Sequence, residues 1–141
     1  RGQQAVDWVG GACLLVRRSA WEEAGGLDVG YFMYAEEMDL CRRLGEMGWE
    51  ICYEPGATVM HVGGGSARRI AEQSEARLYG SRIRFYRRHL GEARAALLRA
   101  MILATTAVKI PVHALLRRAS GGRRGRRVAS LRQLRAELRR S

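Results

Sequence analysis

The sequence predicts an α/β domain followed by basic helices, and three observations point that way. Short apolar runs bounded by glycine or proline, at residues 12–16, 49–54 and 57–62, have the length of strands. Residues 35–47, 68–89 and 92–109 place apolar side chains at helical spacing among charged ones. Charge is segregated, −5 over residues 1–62, +7 over 63–116 and +9 over the last 25, within a total of +11. A mildly acidic folded part therefore precedes a basic one. A chain of 141 residues, 47% of them hydrophobic, can bury one core of ordinary composition.

The chain begins at Arg1, directly in a candidate strand, and so reads as a piece of a longer protein. Asp7 and Trp8 precede the pair Gly10-Gly11 and the run 12–16, which has the continuous apolar character of a strand buried on both faces. Paired glycines permit backbone angles closed to other residues and let a ligand approach the main chain. Trp8 and Asp7 suit a sugar pocket, one by stacking and the other by accepting from hydroxyls; a core tryptophan and a turn aspartate fit the same letters. Ser19 and Glu22 have capping-box spacing, and Gly25-Gly26 supplies a left-handed stop, so a helix of one or two turns belongs between them.

Residues 31–40, Tyr-Phe-Met-Tyr-Ala-Glu-Glu-Met-Asp-Leu, set aromatics and a methionine against Glu36, Glu37 and Asp39 where helical periodicity begins. Apolar walls beside clustered acids raise carboxylate pKa values, and such a carboxylate can take a proton from a sugar hydroxyl. Acids also favour a helix N-terminus through the macrodipole, which needs no catalysis. Glu36 and Asp39 share one face, Glu37 points about 100° round from Glu36, and Arg42 and Arg43 are spaced to pair with Asp39. Gly48 ends the helix.

Trp49, Ile51 and Tyr53 alternate with polar residues as in a half-buried strand that stops at Pro55-Gly56. Residues 57–62 form a further short strand, ending at His61 before three glycines and Ser66. An imidazole beside flexible backbone amides suits a metal-bound phosphate; a structural histidine fits as well. Residues 68–89 form a basic amphipathic helix. Residues 92–109 continue helically with an uncharged centre at 100–108, and Pro111 interrupts them. The longest nearly apolar run falls short of the roughly 18–20 residues of a membrane span, yet flanked by arginines it suits an anionic membrane surface, or the flank of another part of the protein. Residues 120–127 are low-complexity, and 128–138 form a last basic helix. Cys13, Cys41 and Cys52 lie without a C-x-x-C pair or a neighbouring histidine, as reduced core thiols do.

Four blocks in order, residues 7–12, 25–28, 31–43 and 59–66, make the chain resemble the C-terminal half of a family 2 glycosyltransferase catalytic domain, in its bacterial rhamnosyltransferase-like branch. The resemblance implies a partial GT-A fold over residues 1–66, while periodicity and composition beyond it give amphipathic helices over 67–118 and a flexible arginine-rich tail over 119–141. It implies a nucleotide-sugar donor, a glycan or lipid-linked acceptor, inversion at the anomeric carbon, and a place peripheral to the cytoplasmic face of the cell membrane. In the family the acidic block reads Glu-Asp, with the second acid as general base. Glu37 matches it with one more methylene, which leaves the role open between Glu37 and Glu36. Asp39 matches the third acid, which holds the helix start in place. His61 matches a ligand of a divalent metal, Mg or Mn, on the donor diphosphate. Asp7, Trp8, Gly10, Gly11 and Tyr34 match the surroundings of donor sugar and acceptor. The family's Asp-x-Asp metal motif has no counterpart here, so a nucleotide-binding half is expected before residue 1, and this chain alone is expected not to turn over substrate.

A second reading, suggested by charge alone, is a non-catalytic basic module for an anionic membrane or nucleic acid. Nucleic acid is disfavoured, because no aromatics interleave the arginines of the tail and the motif-bearing region is acidic.

Overall fold

The computed structural model describes residues 2–31, 33–61, 71–119 and 125–140. The chain divides into two compact units, 1–63 and 64–141. In the first, strand β1 (Gln4–Ala5) pairs antiparallel with β2 (Cys52–Tyr53), Gln4 opposite Tyr53 and Ala5 opposite Cys52. The Val6 N–H extends the pairing by donating to the Ile51 carbonyl at 2.9 Å. Helices α1 (Arg18–Ala24) and α2 (Glu36–Glu46) lie between the strands in sequence. Ala20, Leu40 and Leu44 form their shared core, with Leu14, Val16, Ala24, Trp49 and Ile51 packed against it.

The ends of α1 show which local signals governed. The capping box does not form: Arg17 precedes the helix and no side chain caps it. The glycine stop does form. The Gly26 N–H donates to the Trp21 carbonyl at 3.0 Å and the Gly25 N–H to the Glu22 carbonyl at 3.2 Å, with both glycines at φ +71°. Gly26 is needed twice over, since a Cβ there would stand 2.9 Å from the Trp21 ring. Helix α2 covers the predicted stretch, carries its three acids in the first turn and Arg43 in the last, and gives way to Gly48 at φ +91°.

Two predicted strands are absent. Residues 12–16 run without ladder pairing; Leu14 and Val16 turn into the core while Leu15 is 98% exposed, so alternation and not burial on both faces describes them. Described residues 57–61 are likewise unpaired, with Val59 and Met60 exposed. In both places an apolar run met no partner strand among the described residues, and without one a β conformation leaves its amides unpaired.

The second unit is three helices, α3 (Ala71–Leu90), α4 (Glu92–Ala119) and α5 (Gly125–Arg140), each packed on the other two. Gly91 at φ +90° makes the connection between α3 and α4. Ala76, Ile83, Ala95, Ile102, Leu134 and Leu138 form the core. Pro111 does not interrupt α4, which continues to Ala119. The proline is on an exposed position, so its lost hydrogen bond falls on the solvent side while packing holds the opposite one. Nor is α4 short: Glu92–Leu115 is long and apolar enough, with 18 residues in it averaging a hydropathy of 1.6, to cross a membrane by length and composition. Arg99 and Lys109 break the uncharged run without lowering the average below that mark. The tail expected to be flexible carries α5, longer at both ends than residues 128–138, with Val128, Leu131, Leu134 and Leu138 buried.

Candidate active site

Helix α2 begins in an unusual way. Tyr34 and Ala35, neither of them glycine, stand at φ +70° and +68°, where a Cβ is crowded, and no side chain caps the helix. This turn delivers Glu36 and Glu37 onto the positive end of the helix. Each glutamate is partly exposed overall, yet its Oε2 is buried and has no hydrogen-bond partner among the described residues. A carboxylate oxygen in that state is costly unless something completes it. Burial, and then the neighbouring Glu37 carboxylate, push the Glu36 carboxyl above its ordinary value, against the pull of its own backbone N–H.

The loop at residues 9–11 reaches the same place. A Cβ on Gly11 would lie 3.6 Å from Cβ and 3.8 Å from Cδ of Glu37, so glycine there leaves the flank of that carboxylate open. Gly10 and Gly11 do not take the positive φ of Gly25, Gly26, Gly48 and Gly91, and a Cβ at Gly10 would meet nothing within 4 Å. Cys41, one turn beyond Glu37, is buried and hydrogen-bonded by the Val9 main chain. Burial first, and the Glu37 charge after it, raise its thiol pKa. Trp8 is 47% exposed and Asp7 is exposed, both open to a ligand, while Tyr34 is half-buried.

Asp39 is placed otherwise. It is fully buried; Arg43 Nε donates to its Oδ2 at 2.8 Å and the Tyr31 hydroxyl to its Oδ1 at 3.3 Å. Arg43 also donates to the Ala24 carbonyl, and to the Gly26 carbonyl at 2.7 Å. The guanidinium thereby ties α2 to the stop of α1, and with it the loop that ends at Tyr34. Spacing marked the Asp39–Arg43 pair, but not the role of Tyr31 or the two carbonyls, which are brought near only by the fold. Asp39 has no oxygen left facing a substrate.

His61 is exposed in the segment after Pro55, which has no regular secondary structure, and its glycine-rich sequel, 62–66, lies outside the described residues, as does Phe32. Among the described residues no three His, Cys, Asp or Glu side chains gather as a metal site. A hard divalent cation takes about six oxygen-rich ligands, and a lone imidazole does not make such a site.

The family model described as "Glycosyltransferase like family 2" matches residues 1–81. The chain is similar to the N-acetylglucosaminyl-diphospho-decaprenol L-rhamnosyltransferase of two Mycobacterium tuberculosis strains. The identity is 52% over 59 residues, which are 42% of this chain and 19% of that protein. It is similar also to Rhamnosyltransferase WbbL of Escherichia coli (strain K12), 45% identical over 56 residues, 40% of this chain and 21% of that protein. The chain thus spans about a fifth of the length of the curated relatives it matches. No solved structure matches it.

Proposed function

Because this chain belongs to the glycosyltransferase-like family 2, we propose that it is the acceptor-side part of an enzyme that moves a sugar from a nucleotide-sugar to a glycan or lipid-linked hydroxyl. The observation that carries the proposal is the pair of buried, unpartnered carboxylate oxygens of Glu36 and Glu37 beside Gly11, in the segment that matches the family. The relatives are rhamnosyltransferases, and the mycobacterial one is named for a decaprenol-linked substrate, which supports the substrate classes.

In this reading Glu37 accepts the acceptor's hydroxyl proton as the oxygen bonds to the anomeric carbon. The bond to the nucleoside diphosphate breaks on the opposite face, its electron pair leaves with the phosphate, and configuration inverts. Glu36 is the neighbour of that base in the chain, and its buried oxygen offers a second acceptor at the same place. Trp8 and Asp7 offer a stacking face and an acceptor for sugar hydroxyls. A GT-A architecture, a divalent metal with His61 among its ligands, a role in the cell envelope and a peripheral place at the cytoplasmic membrane face complete the proposal, on the strength of the resemblance.

The test is a transfer assay on the full-length protein that carries this segment. Glu37→Gln is expected to lower kcat by about 100-fold or more with little change in donor KM. Near-normal turnover removes Glu37 as the base, and a comparable loss in Glu36→Gln alone assigns the proton to Glu36.

A further inference from the structure

The face of α4 turned away from its two partner helices is apolar where a solvent-facing helix is ordinarily polar. Leu97, Met101, Val108, Val112 and Leu115 are all exposed, Leu115 at 69%. At 100° per residue they fall within a sector of about 60°, and the stripe runs for roughly 27 Å along the axis. Ala104 and Pro111, also exposed, fill the gaps between them. Arg94 stands at one end of the stripe and Lys109 at its border, both exposed, and Arg117 and Arg118 follow its other end in the sequence. Residues 63–141 carry +7 and +9, +16 in all, and Arg82, Arg87, Arg132 and Arg139 are exposed on the neighbouring helices.

We propose that the α3–α5 unit docks on an anionic lipid bilayer, with the α4 stripe lying in the plane of the interface and the surrounding arginines against lipid phosphates. Charge complementarity selects the occupant: an apolar strip set in a field of +16 matches an acyl boundary beneath anionic headgroups. A helix on such a surface sinks about 5–10 Å, enough to cover side chains but not the backbone behind them.

The same contacts argue against a crossing. By length and composition α4 could span a membrane, but Ala95, Ile102 and Thr106 on its other face are buried against α3 and α5. Arg99 is held on that side by donating to the Leu138 carbonyl at 2.6 Å. Crossing would strip α4 from its partners or draw their arginines into hydrocarbon.

The inference rests on the proposed use of a lipid-linked acceptor, for it brings the chain to the surface where such an acceptor lies. The test is co-sedimentation of the 141-residue chain with vesicles of phosphatidylcholine alone and of phosphatidylcholine with phosphatidylglycerol, at physiological salt. The wild type is expected to bind the anionic vesicles. The triple variant Leu97→Gln, Val108→Gln, Leu115→Gln, which touches only exposed positions, is expected to bind at least about tenfold more weakly with unchanged helical circular dichroism. A wash at alkaline pH is expected to release the bound chain. Equal binding by the triple variant, no binding by the wild type, or a bound fraction that resists the alkaline wash overturns the proposal. So does a dimer in gel filtration that the triple variant breaks and that vesicles do not displace, because the stripe then belongs to a second copy. Glu37→Gln is expected to leave vesicle binding as it is, so failure of the docking proposal and failure of the transfer proposal read out separately.

Discussion

Arg43 holds the one fully buried carboxylate among the described residues, and several predictions belong to side chains at this scale. Arg43→Met takes the cation from the buried Asp39 carboxyl, which costs about 3–5 kcal/mol and in urea unfolding is expected to exceed every surface change in the unit. Arg43→Lys recovers little, because an ammonium cannot reach Asp39 and two carbonyls at once. Tyr31→Phe loses one hydrogen bond, about 1 kcal/mol. Glu36 acts through pH. The folded chain holds its proton more tightly than the unfolded chain does, so ionising it costs stability above the folded pKa and nothing below the ordinary value of 4.5. Glu36→Gln is therefore expected to raise Tm at pH 8, and the gain is expected to shrink as pH falls and vanish near pH 4. The thiols differ in the same physical way: Cys13 is exposed and is expected to react with a maleimide in the native state, while Cys41, buried and held neutral, reacts only on unfolding. The carboxylate block was legible from its letters, since acids beside aromatics at a helix start are a local pattern. That Asp39 turns inward while Glu36 and Glu37 keep partly exposed was not, because three acids within four residues look alike until a partner such as Arg43 is seen to approach one of them.

Among the elements, helices were read well and strands poorly, for a reason visible in the residues. Helix α2 carries its own instructions, acids first, Arg43 late and Gly48 after, and so does the glycine stop of α1. Residues 12–16 and 57–61 hold apolar letters whose conformation depends on a neighbour far away in sequence, and so could not be read locally. The left-handed pair Tyr34-Ala35 was hidden for the opposite reason: nothing about tyrosine or alanine favours that region, so the fold imposes it. Pro111 misled because packing, not propensity, decides α4. Two measurements follow. Pro111→Ala restores a main-chain bond in mid-helix and is expected to raise the unfolding midpoint of the helical unit, by an amount of order 3 kcal/mol at most. In urea unfolding of the first unit, Gly26→Ala is expected to cost clearly more than Gly25→Ala, because both meet the φ penalty but only the former drives a methyl into Trp21.

For the whole molecule, each unit has its own core, Leu40 and Leu44 in one and Ile83, Ile102 and Leu134 in the other. Leu40→Ala and Leu134→Ala each empty a fully buried site and are expected to cost about 2–5 kcal/mol. Hydrogen exchange is expected to show the loss confined to amides of 1–63 in the first case and of 64–141 in the second. The segregation of charge already visible in the sequence divides the chain near the same place, acids with the carboxylate site and arginines with the helices. That basic composition hides a practical asymmetry. Of the 25 cationic side chains Lys109 is the single lysine, and it lies exposed at the margin of the oily strip on α4. A dye coupled through amine chemistry at mildly alkaline pH thus reaches one side chain besides the terminus, and its emission would report directly whether that margin is wet.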